Sequence, residues 1–142
     1  MSFVNVMIHA VWGTKHRKPL LQKEVRKSIC AHIKENARDK GIFIDRINGH
    51  TDHLHCLFGL NADLSLSKHL QLIKGESAYW MNKNRLLPVQ FEWCHEYYAA
   101  SVSPQTLDIV RAYIDNQEVH HSTASFSDEY TKFLEESDAG QG

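Results

Sequence analysis

His53-Leu54-His55 is the place where this 142-residue chain is best equipped for chemistry. Residues i and i+2 of a strand project to the same side, so both imidazoles can converge on one ion. Imidazole is the commonest side-chain metal ligand, and two neutral rings leave positions open for oxygen ligands and substrate. In a chain with ten histidines, the same pattern also describes two histidines hydrogen-bonded on a half-buried sheet face. A second constellation lies in the run Arg111-Ala112-Tyr113-Ile114-Asp115-Asn116-Gln117. Leu107, Val110 and Ile114 define a buried helical stripe, with Gln117 near its centre and Tyr113 on its edge. A buried amide needs a partner, and a metal held by His53 and His55 would supply one. Tyr113, one turn earlier, would point its hydroxyl into the same space. The plain alternative is a core-edge tyrosine, with the glutamine lying where the helix leaves the core.

The elements that must position these residues follow from the patterning. Phe3 to Trp12 alternates as a strand, with Val4, Val6, Ile8, Ala10 and Trp12 on one face and Phe3, Asn5, Met7, His9 and Val11 on the other. Gly13 to Pro19 is a basic turn containing Lys15, His16, Arg17 and Lys18. Leu21, Val25, Ile29, Ile33 and Ala37 then recur every four residues among lysines and arginines, an amphipathic helix stopped by Gly41. Ile42 to Ile47 reads as a second strand, Asn48 to Asp52 as a turn, and His53 to Leu60 as a third strand. Ser65 or Ser67 caps a second helix, in which Gly75 suggests a close backbone approach. Phe91 to Val102 is extended and aromatic. Ser103 as N-cap, Pro104 at the first helical position and a Val102–Leu107 staple start a third helix, running to about His120 or His121. A short helix over Asp128 to Glu135 and a frayed polar tail are expected to follow, so residues 1–121 form the working domain.

The order β-α-β-β-α-β-α predicts an α+β fold, an antiparallel sheet with helices on both faces, close to the ferredoxin-like split β-α-β plan. Leu54, Cys56 and Phe58 would face the first two helices, and His53, His55 and Leu57 the third. Composition agrees with one globular domain: 42% of residues are apolar, enough for a single core. No apolar run is long enough to span a membrane, and the N-terminus lacks the pattern of a secretory signal. Three widely spaced cysteines, with no C-x-x-C pair, argue against a disulfide framework or a zinc–thiolate site and for a reducing cytoplasm. The net charge of −1 conceals a gradient. Residues 1–46 carry ten Lys/Arg against four Asp/Glu, whereas residues 104–142 carry two against eight. That points to a basic working face and an acidic tail, or to nothing more than solvated helix surfaces.

Taken together, these features resemble one family: the single-tyrosine, His-hydrophobic-His (HUH) transposases of small bacterial and archaeal insertion sequences of the type numbered two hundred. His9 to Pro19 is similar to the family's first strand and basic turn, and Asp52-His53-Leu54-His55 to its metal motif. Leu70 to Ser77, with Ile73-Lys74-Gly75, is similar to its second helix, and Trp93 to Val102 to the segment leading into the nucleophile helix. Tyr113 to Gln117 looks like the catalytic tyrosine with its glutamine one turn on. The resemblance implies that His53, His55 and Gln117 hold one Mg²⁺ or Mn²⁺, a neutral ligand set that leaves the ion its full charge. It implies that Tyr113 attacks single-stranded DNA to give a 5′-phosphotyrosine link and a free 3′-hydroxyl. It also implies homodimers that recognise subterminal hairpins at element ends, with the nucleophile helix of one subunit completing the metal site of the other. Ala99 to Val102 would then serve as a movable hinge. Lys15, His16, Arg17, Lys18, Arg26, Lys27 and Lys74 are the expected DNA contacts. His9 matches a family position without an assigned role, and His50, His69, His95, His120 and His121 read as ordinary histidines.

Two other classes fit parts of the pattern. A non-catalytic or host-adapted single-stranded nucleic-acid-binding protein of the same fold would use the aromatics without cutting. A metal-free phosphoesterase with paired H-x-S/T motifs is disfavoured, because only His121-Ser122-Thr123 fits.

Overall fold

The computed structural model describes residues 3–117. Its elements are β1 (Met7–Gly13), a 3-10 turn (Lys15–Arg17), α1 (Lys23–Asp39), β2 (Ile44–His50), β3 (His53–Gly59), α2 (Leu66–Lys83), β4 (Tyr98–Val102) and α3 (Leu107–Asp115). The four strands form one antiparallel sheet in the order β2-β3-β1-β4. β1 and β3 are central, and β3 lies between β1 and β2, the split arrangement expected from the element order.

Alternation along the central strands separates two cores. Ile8, Ala10 and Trp12 of β1, with Leu54, Cys56 and Phe58 of β3, pack under α1 and α2 together with Ile29, Ile33, Leu70 and Ile73. On the other face Leu57 meets Val110 and Ile114 of α3. α3 is amphipathic, so nine residues suffice to close this face. Burying each of these aliphatic side chains stabilises the fold by about 1.5–3 kcal/mol.

Several boundaries move from where sequence patterning puts them. β1 begins at Met7 rather than Phe3, because its partners end there: Met7 pairs with Gly59 on one side and Val102 on the other. Phe3, Val4 and Val6 are exposed. β2 starts at Ile44 and runs through His50, so the hairpin turn is only Thr51-Asp52. A register shift between Ile44 and Arg46 marks a β-bulge at Asp45. It lets Ile44 and Ile47, three residues apart, pack against the same core. α1 ends at Asp39 with Lys40 as its cap, followed by Gly41, whose φ of 78° turns the chain as a side chain would resist.

Ser65 caps α2, its hydroxyl accepting from the Lys68 amide at 3.1 Å. Gly75 in α2 makes no close approach, since a Cβ there would meet open space. Of the extended segment 91–102, Tyr98–Val102 joins the sheet as a strand, while Trp93 makes an isolated antiparallel bridge to Thr14. Ala99 to Val102 is therefore a paired strand rather than a hinge. Residues 103–106 form a turn, with the Thr106 amide donating to Ser103 O at 3.1 Å, and α3 starts at Leu107 instead of Pro104. Proline suits the second position of a turn as well as the first position of a helix, and here it takes the turn. His120, His121, the expected helix over 128–135 and the acidic tail lie outside the described residues.

Candidate active site

β3 carries His53, His55 and Leu57 to the face beneath α3, and both histidines are fully buried. Gly49 of β2 makes the tight hairpin possible: a Cβ there would collide with His53 O and Leu54.

His53 is held from both sides. Its Nδ1 lies 2.8 Å from Asp52 Oδ1, and its Nε2 lies 3.2 Å from Gln117 Oε1. The Gln117 amide is oriented by its own helix, because Nε2 donates to Tyr113 O at 3.1 Å. With Nδ1–H given to Asp52, the Nε2 lone pair of His53 faces a carbonyl oxygen. One positive group, a proton or a metal ion, reconciles two such acceptors. The donor set therefore fits a divalent ion. Among the described residues no three His, Cys, Asp or Glu side chains converge on one point, so any third protein ligand beside the two histidines would have to be the amide.

The Asp52 carboxylate is tied further to Arg17, whose Nε donates to Oδ2 at 3.2 Å. Burial works to raise its pKa, but the hydrogen bond from His53 and the charge of Arg17 outweigh it and hold Asp52 below the usual carboxylate range. His55 Nδ1 lies 3.0 Å from Nε2 of His9, and the two rings stack at 5.2 Å. Burial pushes the His9 pKa down to about 4, so this ring is neutral at neutral pH. Tyr113 stands edge-on to both, 5.4 Å from the His55 ring and 6.4 Å from His9, with its hydroxyl buried.

α3 is fastened by groups on β2. The bulge turns Asp45 toward α3, where it accepts from Arg111 Nη2 at 2.7 Å and Nε at 2.9 Å. Asn48 Nδ2 donates to Ile114 O at 3.0 Å. The structure thus brings Tyr113, Gln117, His53 and His55 together within one chain.

The basic residues divide. His16, Lys18 and Lys27 are exposed, as are Lys15, paired with Glu92 at 2.6 Å, and Arg17, paired with Asp52. His16 and Arg17 hold φ values of 59° and 54°, a left-handed pair unusual for residues with side chains. Arg26 departs from the expectation: it is 6% exposed and gives Nη1 to Leu21 O at 2.9 Å, a structural task at the start of α1. Lys74 departs too, since its ammonium donates to Cys94 O at 2.8 Å and His95 O at 3.1 Å, and burial lowers its pKa. His69 is an ordinary core histidine, bonded to Ser65 O and the Asn61 amide. Sequence patterning gives Asp45, Asn48 and Arg111 no role, because a bulge leaves no mark on strand alternation and polar contacts between β2 and α3 leave none on either element's apolar pattern.

A ferredoxin-like sheet with two histidines on β3 and a tyrosine–glutamine helix over them is the HUH fold. The chain belongs to the family of IS200-like transposases, whose pattern it matches over residues 2–117. It is 24% identical over 119 residues to the transposase for insertion sequence element IS200 of Salmonella typhimurium, covering 80% of this chain and 77% of that protein. Its fold is similar to a crystal structure of a candidate transposase from Deinococcus radiodurans, with a TM-score of 0.66, 24% identity and coverage of 82% and 95% of the two chains. It is also similar to a REP-associated tyrosine transposase bound to a REP hairpin, with a TM-score of 0.65, 16% identity and coverage of 87% and 73%.

Proposed function

We propose that this transposase-family protein cuts and rejoins single-stranded DNA, with Tyr113 as nucleophile and His53, His55 and Gln117 as the holders of one Mg²⁺ or Mn²⁺. The observation that carries the reading is the joint placement of Tyr113 against His55 and Gln117 against His53, on two buried imidazoles of one sheet face. When bound, the ion supplies Lewis-acid polarisation of a phosphate oxygen. The chain's residues do the rest. Tyr113 gives up its phenolic proton and attacks phosphorus through Oη; the P–O3′ bond breaks, leaving a 5′-phosphotyrosine and a 3′-hydroxyl. The covalent link conserves the bond energy, so rejoining to another 3′ end reverses the step without ATP.

His16, Lys18 and Lys27 offer exposed positive groups for DNA phosphates, and Lys15 and Arg17 join them by exchanging carboxylate for phosphate. The REP hairpin bound by a protein of this fold supports hairpin DNA at the element ends as the partner. A homodimer is part of the proposal, and light scattering at micromolar concentration checks it; a monomer would remove it. Among the described residues no helix is long and apolar enough to cross a membrane.

The test is strand cleavage of labelled single-stranded oligonucleotides from the flanks of the gene, with Mn²⁺ or with chelator. Metal-dependent product that disappears in Tyr113→Phe supports the reading. Tight DNA binding with no cleavage by the wild-type protein would favour a non-catalytic binding protein of the same fold.

A further inference from the structure

His9 has no part in the chemistry above, yet it is 1% exposed in the middle of β1, on the α3 side of the sheet. A buried imidazole carries a desolvation cost that a valine at the same position would avoid, so its contact is informative. Its Nε2 lies 3.0 Å from His55 Nδ1, with the rings stacked at 5.2 Å and 27°. The atom of His55 engaged with His9 is Nδ1, and in the proposed site Nε2 is the one turned to the ion. His53 is engaged in the same sense, through Nδ1 and Asp52. Both candidate ligands are therefore gripped by the same ring atom and offer the same ring atom. An imidazole presents a lone pair at Nε2 only while its proton sits on Nδ1, and the tautomer is chosen by whatever accepts that proton.

We propose that His9 is a positioning residue: its Nε2 accepts the Nδ1 proton of His55, fixing the tautomer and ring orientation that present His55 Nε2 to the divalent ion. The inference rests on the reading of His53 and His55 as ligands. It gives the first strand a share in the site, because His9 joins β1 to a ligand on β3, as Asp52 joins the hairpin tip to the other. The two supports differ in charge. Asp52 adds a carboxylate beside His53, whereas His9 gives His55 an acceptor without a carboxylate.

The test is Mn²⁺ binding by the full chain without DNA, followed by electron paramagnetic resonance of the free ion, in wild type, His9→Leu, His9→Gln and His53→Ala. Losing an outer partner of a metal ligand weakens affinity by about 10–100-fold, and His9→Leu is expected in that range with an unchanged melting transition. His9→Gln, which restores an acceptor at similar reach, recovers most of the affinity. Equal loss in the Leu and Gln variants marks a packing role and overturns the proposal, as does wild-type affinity in His9→Leu while His53→Ala loses binding. Wild-type binding in His53→Ala removes the ligand reading itself, and the role of His9 with it. A second measurement needs no variant: long-range proton–nitrogen spectra of the metal-free protein should show His55 protonated at Nδ1. Finding the proton on Nε2 overturns the proposal whatever the variants do.

Discussion

Each of the four central side chains has a second contact that limits its orientation. Gln117 is turned by Tyr113 O, His53 by Asp52, His55 by His9, and Tyr113 stands against two imidazole rings. Such support matters because a reacting group displaced by an ångström loses much of its rate advantage. At this scale the account predicts that His53→Ala and His55→Ala reduce Mn²⁺ affinity by more than the about 10–100-fold expected for loss of an outer partner. Calorimetric titration checks this, and retention of wild-type affinity in both would remove the ligands. Gln117→Ala should weaken binding as well while leaving Tyr113 in place. A fully active Gln117→Ala would end the metal role of the amide but leave the nucleophile standing. Spacing alone sets which face His53, His55, Tyr113 and Gln117 take, and that much was legible in the sequence; their roles came only from the resemblance to a family, since spacing fits structural residues equally well. Charge alone suggests DNA for Arg26 and Lys74, whereas in the fold both side chains are engaged with backbone carbonyls, Arg26 in a buried position and Lys74 in a half-buried one.

α3 decides whether those residues meet, and few contacts hold it. Ile114 is fully buried beneath it against Leu57, so Ile114→Ala should destabilise the chain by about 2–5 kcal/mol in urea denaturation. The Asp45–Arg111 pair adds a pH-dependent fastening. The Arg111 hydrogen bonds and charge hold the Asp45 pKa below its ordinary value, against a smaller opposing effect of burial. A carboxylate whose folded pKa is depressed stabilises the fold above its unfolded value of about 3.9, and the contribution fades as pH falls through the folded value. Asp45→Asn should therefore be less stable than wild type at neutral pH, with the difference shrinking below about pH 4. Hydrogen exchange of the α3 amides locates the effect: protection should fall in α3 and persist in β3. Unchanged α3 protection in Asp45→Asn would contradict this role. The helix itself was visible from its apolar stripe, but its start at Leu107 was not. Ser103-Pro104 suits a helix N-terminus and a turn alike, and the side-chain spacing cannot separate them.

Across the whole molecule, charge is arranged more tellingly than its sum of −1 suggests. The basic turn is bound to the site through Arg17 and Asp52, so the surface proposed to meet DNA phosphates also touches a histidine proposed as a metal ligand. Removing one phosphate contact should weaken DNA binding similarly across sequences and reduce the salt slope by about one. Lys18→Ala, measured by fluorescence anisotropy over a salt series, checks this; an unchanged slope would place the DNA elsewhere. The sheet order and the two-faced layering were readable from the order of elements and the alternation of β3. The Asp45 bulge was not, since the register of a strand depends on its neighbour rather than on its own residues.

The central claim is that the Tyr113 oxygen forms the covalent bond to DNA, and mass spectrometry of the trapped adduct tests it most directly. The protein would be incubated with a single-stranded oligonucleotide from the gene's flank and Mn²⁺, denatured, and digested with nuclease and trypsin. The account predicts a 5′-linked nucleotide on the peptide that begins at Ala112, with fragment ions placing it on Tyr113 rather than Tyr130. An adduct on any other residue, or cleavage that proceeds with no adduct at all, would contradict it.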